Sequence, residues 1–115
     1  MTVSARLSNY RVSPQKARLV ADQIRGKGVE EALMILDLSS KRFAKPLAKL
    51  VRSALANAED KNKRDKAGID IDNLVVQQIA VDQGSSMWRI RARAQGRAAW
   101  IQKRTSHVRI VLSEE

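Results

Sequence analysis

Residues 87–104, "MWRIRARAQGRAAWIQKR", hold five arginines, one lysine and both tryptophans of the chain without a carboxylate. From position 88 to position 94, apolar residues alternate strictly with arginines, and a period of two is typical of a β-strand. Gln95 and Gly96 then provide a turn, because glycine accepts positive φ. The segment is predicted to be a β-hairpin with a cationic and an apolar side. Limbs of roughly ten residues at ~3.4 Å each would project on the order of 30 Å.

The residues on either side of this hairpin are predicted to be two strands of a body. Leu74 to Asp82 is rich in β-branched residues, and so is the stretch "TSHVRIVLS" at residues 105–113. Alternating positions of the first strand carry Val75, Gln77, Ile79 and Val81. One face of the second strand carries Val108, Ile110 and Leu112, and the other carries His107 and Arg109. If the hairpin joins the two strands, they pair antiparallel.

The residues further towards the N-terminus carry helical patterns. In "VSPQKARLVADQIRGKG", residues 12–28, Ser13 can cap a helix, Pro14 suits its first position, and glycines end it. A second helix is predicted in "VEEALMILDL", residues 29–38, with Ser39 or Ser40 starting a third. The expected apolar positions of the first two helices are Ala17, Val20, Ala21, Ile24, Val29, Ala32, Leu33 and Leu36.

The third helix is predicted to be the longest and to be the central element of the core. Its apolar residues recur at helical spacing, and they are Leu47, Leu50, Val51, Ala54, Leu55 and Ala58. Because proline is tolerated in the first turn of a helix, Pro46 puts the start near Lys45 or predicts a kink there.

The charged stretch at residues 59–68 is predicted to be a solvated loop. The first residues are predicted to form a short strand, with Val3, Ala5, Leu7 and Asn9 on one side.

Composition and charge favour a nucleic-acid partner. With 115 residues the chain is expected to be a single domain, 1–115, that includes the extended hairpin at about 83–105. Lys and Arg exceed Asp and Glu by 22 to 12, a formal net charge of +10, and no acidic residue occurs between Asp82 and Glu114. Guanidinium groups bond phosphates and indoles stack on unpaired bases, so structured RNA is the expected ligand.

Other classes of protein find little support in the residues. No cysteine is present, which excludes disulfides and thiolate metal sites, and no apolar run reaches the ~20 residues of a membrane span. His107 is the only histidine, and Asp70 with Asp72 lacks further ligands, so neither a catalytic nor a metal site is expected. We therefore expect a non-enzymatic cytoplasmic protein without a cofactor.

Several motifs, spaced along nearly the whole chain, carry a resemblance to a known family. They are, in order, "SPQKARLVADQIRGK" with "VEEAL", "SALANAE", "IDIDNL", "VDQGSSM", "RARAQGRA" and "KRTSH". In these motifs the chain resembles number twenty-two of the bacterial large-subunit ribosomal proteins. The resemblance implies an α+β fold, in which three helices pack on a small antiparallel sheet and a long β-hairpin protrudes.

The resemblance also implies a function in the large (50S) ribosomal subunit. Members of that family bind 23S rRNA, support early subunit assembly and line the polypeptide exit tunnel with the hairpin. The partners so implied are 23S rRNA, neighbouring large-subunit proteins with protein four at the tunnel constriction among them, and the nascent polypeptide. Neither a membrane nor a homo-oligomer is implied.

Site residues follow from the resemblance at the matching positions. The rRNA-binding residues so implied are Arg11, Lys16, Arg18, Arg25, Arg89, Arg91, Arg93, Arg97, Lys103, Arg104, Thr105, Ser106 and His107. The tunnel-lining residues so implied are Met87, Trp88, Arg89, Ala92, Arg93, Gln95, Gly96 and Arg97, of which Met87 and Arg89 match the segment associated with macrolide response. The chain departs from the family at Trp88, where a basic residue is usual, at Ala92, where proline is frequent, and at Trp100, where a polar residue is common.

An alternative in another class stays open at this point. A free-standing architectural protein could insert a basic β-arm into a groove of DNA. Such proteins usually form dimers, and the sequence has no sustained heptad pattern for one. A helical interaction scaffold would leave the hairpin unexplained. A preference for structured rRNA over duplex DNA would distinguish the ribosomal interpretation.

Overall fold

One strand, three helices and four further strands follow one another along the chain, of which the computed structural model describes residues 2–66, 68–92 and 94–114. The strands are β1 (Thr2–Tyr10), β2 (Leu74–Gln83), β3 (Met87–Ala92), β4 (Ala98–Lys103) and β5 (Ser106–Glu114). The helices are α1 (Pro14–Ile24), α2 (Val29–Leu38) and α3 (Ala44–Asp65), and short turns occupy Ile71–Asn73 and Ala94–Gly96. Within the described ranges, none of the helices combines the length and the apolar character needed to cross a membrane.

The body sheet has the antiparallel order β1–β5–β2, with β5 in the centre. Val108, Ile110 and Leu112 of β5 are each 0% exposed and belong to the face on which α1 and α3 pack. Because side chains alternate along a strand, His107 and Arg109 lie on the other face. The predicted strand, its buried face and its antiparallel pairing with β2 are confirmed.

A β-bulge in β2 changes which of its residues face the core. The pairing with β5 moves from Val76 opposite Leu112 to Gln78 opposite Val111, so Gln77 is an extra residue in the strand. The bulge reverses the alternation, and Leu74 and Val76 are therefore buried together with Ile79 and Val81. The prediction that Val75 and Gln77 share a face with Ile79 and Val81 is wrong for this reason.

The strand β1 is regular only over its first part. Val3 is buried, and Ala5 and Leu7 pack against the core, as predicted. Asn9 has a φ of 56°, and the register with β5 shifts between Leu7 and Tyr10. The expectation that Asn9 continues the inner face is therefore wrong, because its left-handed backbone interrupts the alternation.

Helix α1 begins and ends where the sequence predicts. The Oγ of Ser13 accepts a hydrogen bond from the Lys16 N–H at 3.4 Å, and Pro14 occupies the first turn. After Ile24 the chain passes through Gly26, whose φ of 80° suits glycine. The Gly26 N–H donates to the Val76 carbonyl at 3.0 Å. The connection from α1 to α2 therefore runs along the free edge of β2.

The connection between α2 and α3 differs from its prediction. Ser39 ends α2, since its N–H donates to the Leu36 carbonyl at 3.3 Å, and its Oγ accepts from the Lys41 N–H at 3.2 Å. The prediction that Ser39 or Ser40 starts the third helix is wrong, because Ser39 closes the second helix and the third begins only after Phe43. Helix α3 begins at Ala44, close to the predicted Lys45, and Pro46 lies in its first turn.

Helix α3 extends through most of the stretch that was predicted to be a loop. It continues to Asp65, and Arg64 forms an ion pair with Asp60 one turn earlier. The Asn62 side chain accepts from the Ile69 N–H and donates to the Ile69 carbonyl, each at 2.8 Å. The loop prediction for residues 59–68 is wrong up to Asp65. The two hydrogen bonds between Asn62 and Ile69 stabilise the last turns of the helix by joining them to the chain that follows.

The core is aliphatic apart from Phe43, in agreement with a composition that is 3% aromatic. All three helices contribute to it, and α3 supplies Leu47, Leu50, Val51, Ala54 and Ala58. The strands β3 and β4 form a separate two-stranded sheet outside it. The molecule measures 64 × 27 × 16 Å as a result. The α+β fold class, with three helices, an antiparallel sheet and a protruding hairpin, is confirmed.

The central strand should therefore dominate the stability of the body. Leu112→Ala removes a side chain that is 0% exposed, and we expect it to lower the free energy of unfolding by about 2–5 kcal/mol. Leu38→Ala is the matched control, because Leu38 is 85% exposed and its truncation should change stability by less than about 0.5 kcal/mol. Urea denaturation followed by far-ultraviolet circular dichroism measures both. Equal effects would contradict the placement of Leu112 in the core.

Candidate nucleic-acid interface

Residues 87–104, the arm, form a ribbon whose two faces differ in chemistry. Residues opposite one another in β3 and β4 point to the same side. The cationic face carries the pairs Met87 with Lys103, Arg89 with Ile101, and Arg91 with Ala99. The aromatic face carries the pairs Trp88 with Gln102, Ile90 with Trp100, and Ala92 with Ala98. The predicted separation into a cationic and an apolar side is confirmed.

The arm is exposed on both faces. Every residue of β3 is exposed, and Trp88, Ile90 and Trp100 are 57%, 63% and 67% exposed. The two strands pack mainly on each other. A two-stranded ribbon alone is marginally stable in water, and an apolar face of this kind is typical of a surface that a partner covers.

The distal turn of the arm has the backbone that its sequence predicts. Gln95 has φ 63° and ψ 31°, and Gly96 follows with φ 74°, so two consecutive residues are left-handed. The Arg97 N–H donates to the Ala94 carbonyl at 3.5 Å and closes the turn. Arg97 is exposed there, whereas Arg93, predicted both for rRNA and for the tunnel, lies outside the described residues.

The base of the arm is tied to the body by Thr105 and Ser106. The Thr105 Oγ1 donates to the Ser85 carbonyl at 2.5 Å, and the Gly84 N–H donates to the Thr105 carbonyl at 2.9 Å. The Ser106 Oγ, on a residue that is 0% exposed, donates to the Val12 carbonyl at 2.7 Å. These two hydroxyls hold the base of the arm on the body, and their contact with rRNA stays a prediction.

The remaining predicted residue at this base, His107, is partly buried beside β1. Its Nδ1 accepts a hydrogen bond from the Asn9 N–H at 3.1 Å. The Nε2 atom lies on the side of Gly84, where an added Cβ would approach it to 3.2 Å. The imidazole therefore holds the irregular end of β1 and packs beside the base of the arm.

Two predicted cations of α1 make contacts within the body. The Arg18 guanidinium donates twice to the Val81 carbonyl, from Nε at 3.3 Å and from Nη2 at 3.0 Å. Arg25 donates from Nη2 to the Ile79 carbonyl at 3.0 Å and pairs with Asp22. Both residues remain exposed at the surface. Their first role is to hold α1 against β2, and their charge adds to the surface field.

The other predicted cations of the body and of the arm base meet in one groove. This basic groove, of about 920 Å³, lies between the start of α1, the α2–α3 connection and the end of β4. Among the residues that the structure describes, six cations line it, and they are Arg11, Lys16, Lys41, Arg42, Lys103 and Arg104, whereas no carboxylate of those residues does. The ion pairs formed within the described ranges involve other cations. The groove therefore has an uncompensated positive charge.

Lys41 and Arg42 were not among the predicted site residues. They are adjacent to Ser39 and Ser40, which were interpreted as a helix start, so their charges were assigned no function. Phe43 is buried, and its ring centroid lies 5.7 Å from that of Tyr10 in β1. This aromatic contact holds the α2–α3 connection beside the arm base. Two consecutive basic residues, directly after two serines, are the sequence signal that indicates a cationic surface here.

The described ranges contain no group of three or more His, Cys, Asp or Glu residues that could hold a metal ion. The side chains of the groove and the arm carry guanidinium and ammonium groups, hydroxyls and indoles. Such groups bind phosphate oxygens and stack on bases.

Comparison with known proteins agrees with this chemistry. The chain matches the family model described as ribosomal protein L22p/L17e over residues 5–113. It is also 47% identical over 114 residues to the large ribosomal subunit protein uL22 of Desulfatibacillum aliphaticivorans, a match that covers 99% of this chain and 100% of that protein.

The junction of arm and body should tolerate no side chain at Gly84. A Cβ there would lie 2.5 Å from Thr105 Oγ1 and 3.2 Å from His107 Nε2. We expect Gly84→Ala to lower the free energy of unfolding by about 1–3 kcal/mol. Adding Thr105→Ala should recover part of that loss in a double-mutant cycle. Gly28→Ala is the control, because nothing lies within 4 Å of its Cβ. Equal losses for the two glycine variants would contradict the steric account.

Proposed function

The chain belongs to the L22p/L17e family of ribosomal proteins, and from this membership we propose how it acts in the large ribosomal subunit. As a member it is a structural, non-enzymatic constituent of that subunit, and so a cytoplasmic protein. We propose that residues 1–115 work as a single domain that binds 23S rRNA, supports early subunit assembly, and lines the polypeptide exit tunnel with the arm. Neighbouring ribosomal proteins, protein four at the tunnel constriction among them, and the nascent polypeptide are the further partners.

The observation that carries the proposal is a positive surface that continues from the body onto the arm. Lys103 and Arg104 line the basic groove, and Lys103 also ends the cationic face that carries Arg89 and Arg91. No carboxylate occurs in residues 87–104. A polyanion in the groove can therefore follow the arm without meeting a repulsive charge, which is the arrangement that RNA wrapped around a protein ribbon requires.

The cations of the body and those of the arm have different tasks in this proposal. The groove residues neutralise phosphates and set the position of the body on the rRNA, since phosphate contacts position a protein without reading sequence. The arm has its free turn, with Gln95, Gly96 and Arg97, at the end away from the body, and this turn is the part that reaches the tunnel. Met87, Trp88, Arg89 and Ala92 belong to the limb that leads to it.

The arm also supports an explanation of early assembly. An exposed ribbon with a cationic and an apolar face gains order when RNA closes around it, and burial of its apolar surface stabilises the folded RNA in return. The body contains the hydrogen bonds and the core that hold its own shape, so it is ready to bind before the arm is ordered. The body therefore binds rRNA first, and the RNA closes around the arm afterwards.

The groove should contribute to affinity through its charge. A protein that neutralises ~6–10 phosphates loses ~10³–10⁵ in affinity between 50 and 200 mM salt, by analogy with duplex DNA. We expect Lys41→Gln with Arg42→Gln to weaken binding to 23S rRNA and to reduce the log–log salt slope by about 1.5. Filter binding or electrophoretic shift across a salt series measures the slope.

Lys63→Gln is the matched control for this test, because Lys63 lies about 30 Å along α3 from Phe43 beside the groove. It should leave the slope nearly unchanged. A slope equally affected by Lys63 and by the groove pair would contradict a localised groove. Equal affinity for 23S rRNA and duplex DNA would favour the alternative of an architectural DNA-binding protein.

A short deletion should separate the role of the arm from that of the body. Residues 87–89 pair with residues 101–103, and removal of three residues inverts the alternation of β3. We expect deletion of residues 87–89 to change the macrolide concentration that half-inhibits translation, while the yield of large subunits on a sucrose gradient stays nearly normal. Deletion of residues 88–89 preserves the alternation and should have the smaller effect. Loss of large subunits on the three-residue deletion would contradict the separation of roles.

A further inference from the structure

The two tryptophans of the chain lie on one face of the arm. Ile90 is directly opposite Trp100, and Trp88 is two residues before Ile90 on the same strand. Side chains in this diagonal arrangement are neighbours on the surface of an antiparallel pair. Trp88, Ile90 and Trp100 therefore form one continuous apolar platform near the middle of the ribbon.

More than half of the surface of each tryptophan is open to solvent and so accessible to a ligand. Trp88 is 57% exposed and Trp100 is 67% exposed, and within residues 2–66, 68–92 and 94–114 the close contact between aromatic rings is that of Tyr10 with Phe43. The indoles thus neither stack on each other nor pack into the body. A large exposed aromatic surface of this kind is typical of a binding site.

The charges around the platform select the kind of ligand. Arg89, Arg91 and Lys103 occupy the opposite face of a ribbon that is one residue thick, and Arg104 follows β4. An anionic partner is attracted to this ribbon, and a basic protein segment is repelled by it. Aromatic side chains combined with a positive field are the arrangement with which proteins bind single-stranded nucleic acid, since every base has a face for stacking.

We infer that Trp88 and Trp100, with Ile90 between them, form a stacking platform for unpaired nucleobases of the rRNA. The inference rests on the proposed binding of 23S rRNA and adds the part of the RNA that this face contacts. Bases within a duplex have their faces covered by neighbours, so the ligand is a loop, bulge or single strand. Because adjacent residues point to opposite sides, Trp88 faces this RNA while Met87 and Arg89 face the other way.

Intrinsic fluorescence tests the inference directly, because the chain has two tryptophans and both belong to the platform. Full-length Trp88→Phe and Trp100→Phe each leave a single emitting residue. We expect emission of both variants to be quenched on titration with transcribed 23S rRNA at low salt, and a fully paired RNA duplex to leave it nearly unchanged. Emission that changes with protein concentration in the absence of RNA would instead indicate self-association and overturn the inference.

Affinity gives the second measurement. We expect Trp88→Ala and Trp100→Ala each to weaken binding of 23S rRNA roughly 5- to 150-fold, with the salt slope unchanged, since stacking involves no phosphate. Trp→Phe at either position should restore most of the affinity because a phenyl ring also stacks. Ile101→Ala is the matched control, since it truncates an apolar side chain on the cationic face.

The two proposals fail in different ways in this experiment. If the wild-type chain does not bind 23S rRNA at all, the proposed function is wrong. If it binds with a strong salt dependence while emission stays constant and the alanine variants bind normally, the function stands and the platform is wrong.

Discussion

Antiparallel pairing of β2 with β5 forms the core of the body and also sets where the arm begins. Gln83 lies opposite Ser106, so the two strands end side by side and the chain leaves and re-enters the body at one point. The same pairing buries Val108, Ile110 and Leu112 under the helices. The hydrogen bonds of Thr105 and Ser106 then fix the direction in which the arm departs. The body sheet and the separate two-stranded sheet of the arm are thus joined at this one point.

Local features of the sequence were enough to predict most of the elements. Strict alternation and the Gln95–Gly96 turn defined the arm, Ser13 and Pro14 defined the start of α1, and Pro46 defined the start of α3. These signals act through residues close in sequence, so they can be recognised without knowledge of the fold. The family motifs added the arrangement of the elements in space.

Most of the features that escaped prediction depend on contacts between residues distant in the chain. The bulge at Gln77, for example, exists only relative to the register of β5. The last turns of α3 are the exception, since the bonds that hold them join Asn62 to the nearby Ile69. Lys41 and Arg42 belong to the basic groove only because the fold brings them beside Lys103 and Arg104, which lie far away in the chain. The roles of the Thr105 and Ser106 hydroxyls likewise follow from their burial. Charge and pattern indicated an RNA-binding surface, but the division of its residues between binding and support required the structure.

The separation of the arm from the core also bears on how the chain can change in evolution. Residues of β3 and β4 pack mainly on each other, so replacing them should change the stability of the body little. Residues on the inner faces of β1, β2 and β5 cannot be replaced so easily, because they are buried in the core. A lineage can therefore alter the arm one residue at a time and keep a folded protein at each step. Tryptophans at positions 88 and 100 are the kind of innovation that such a tolerant surface admits.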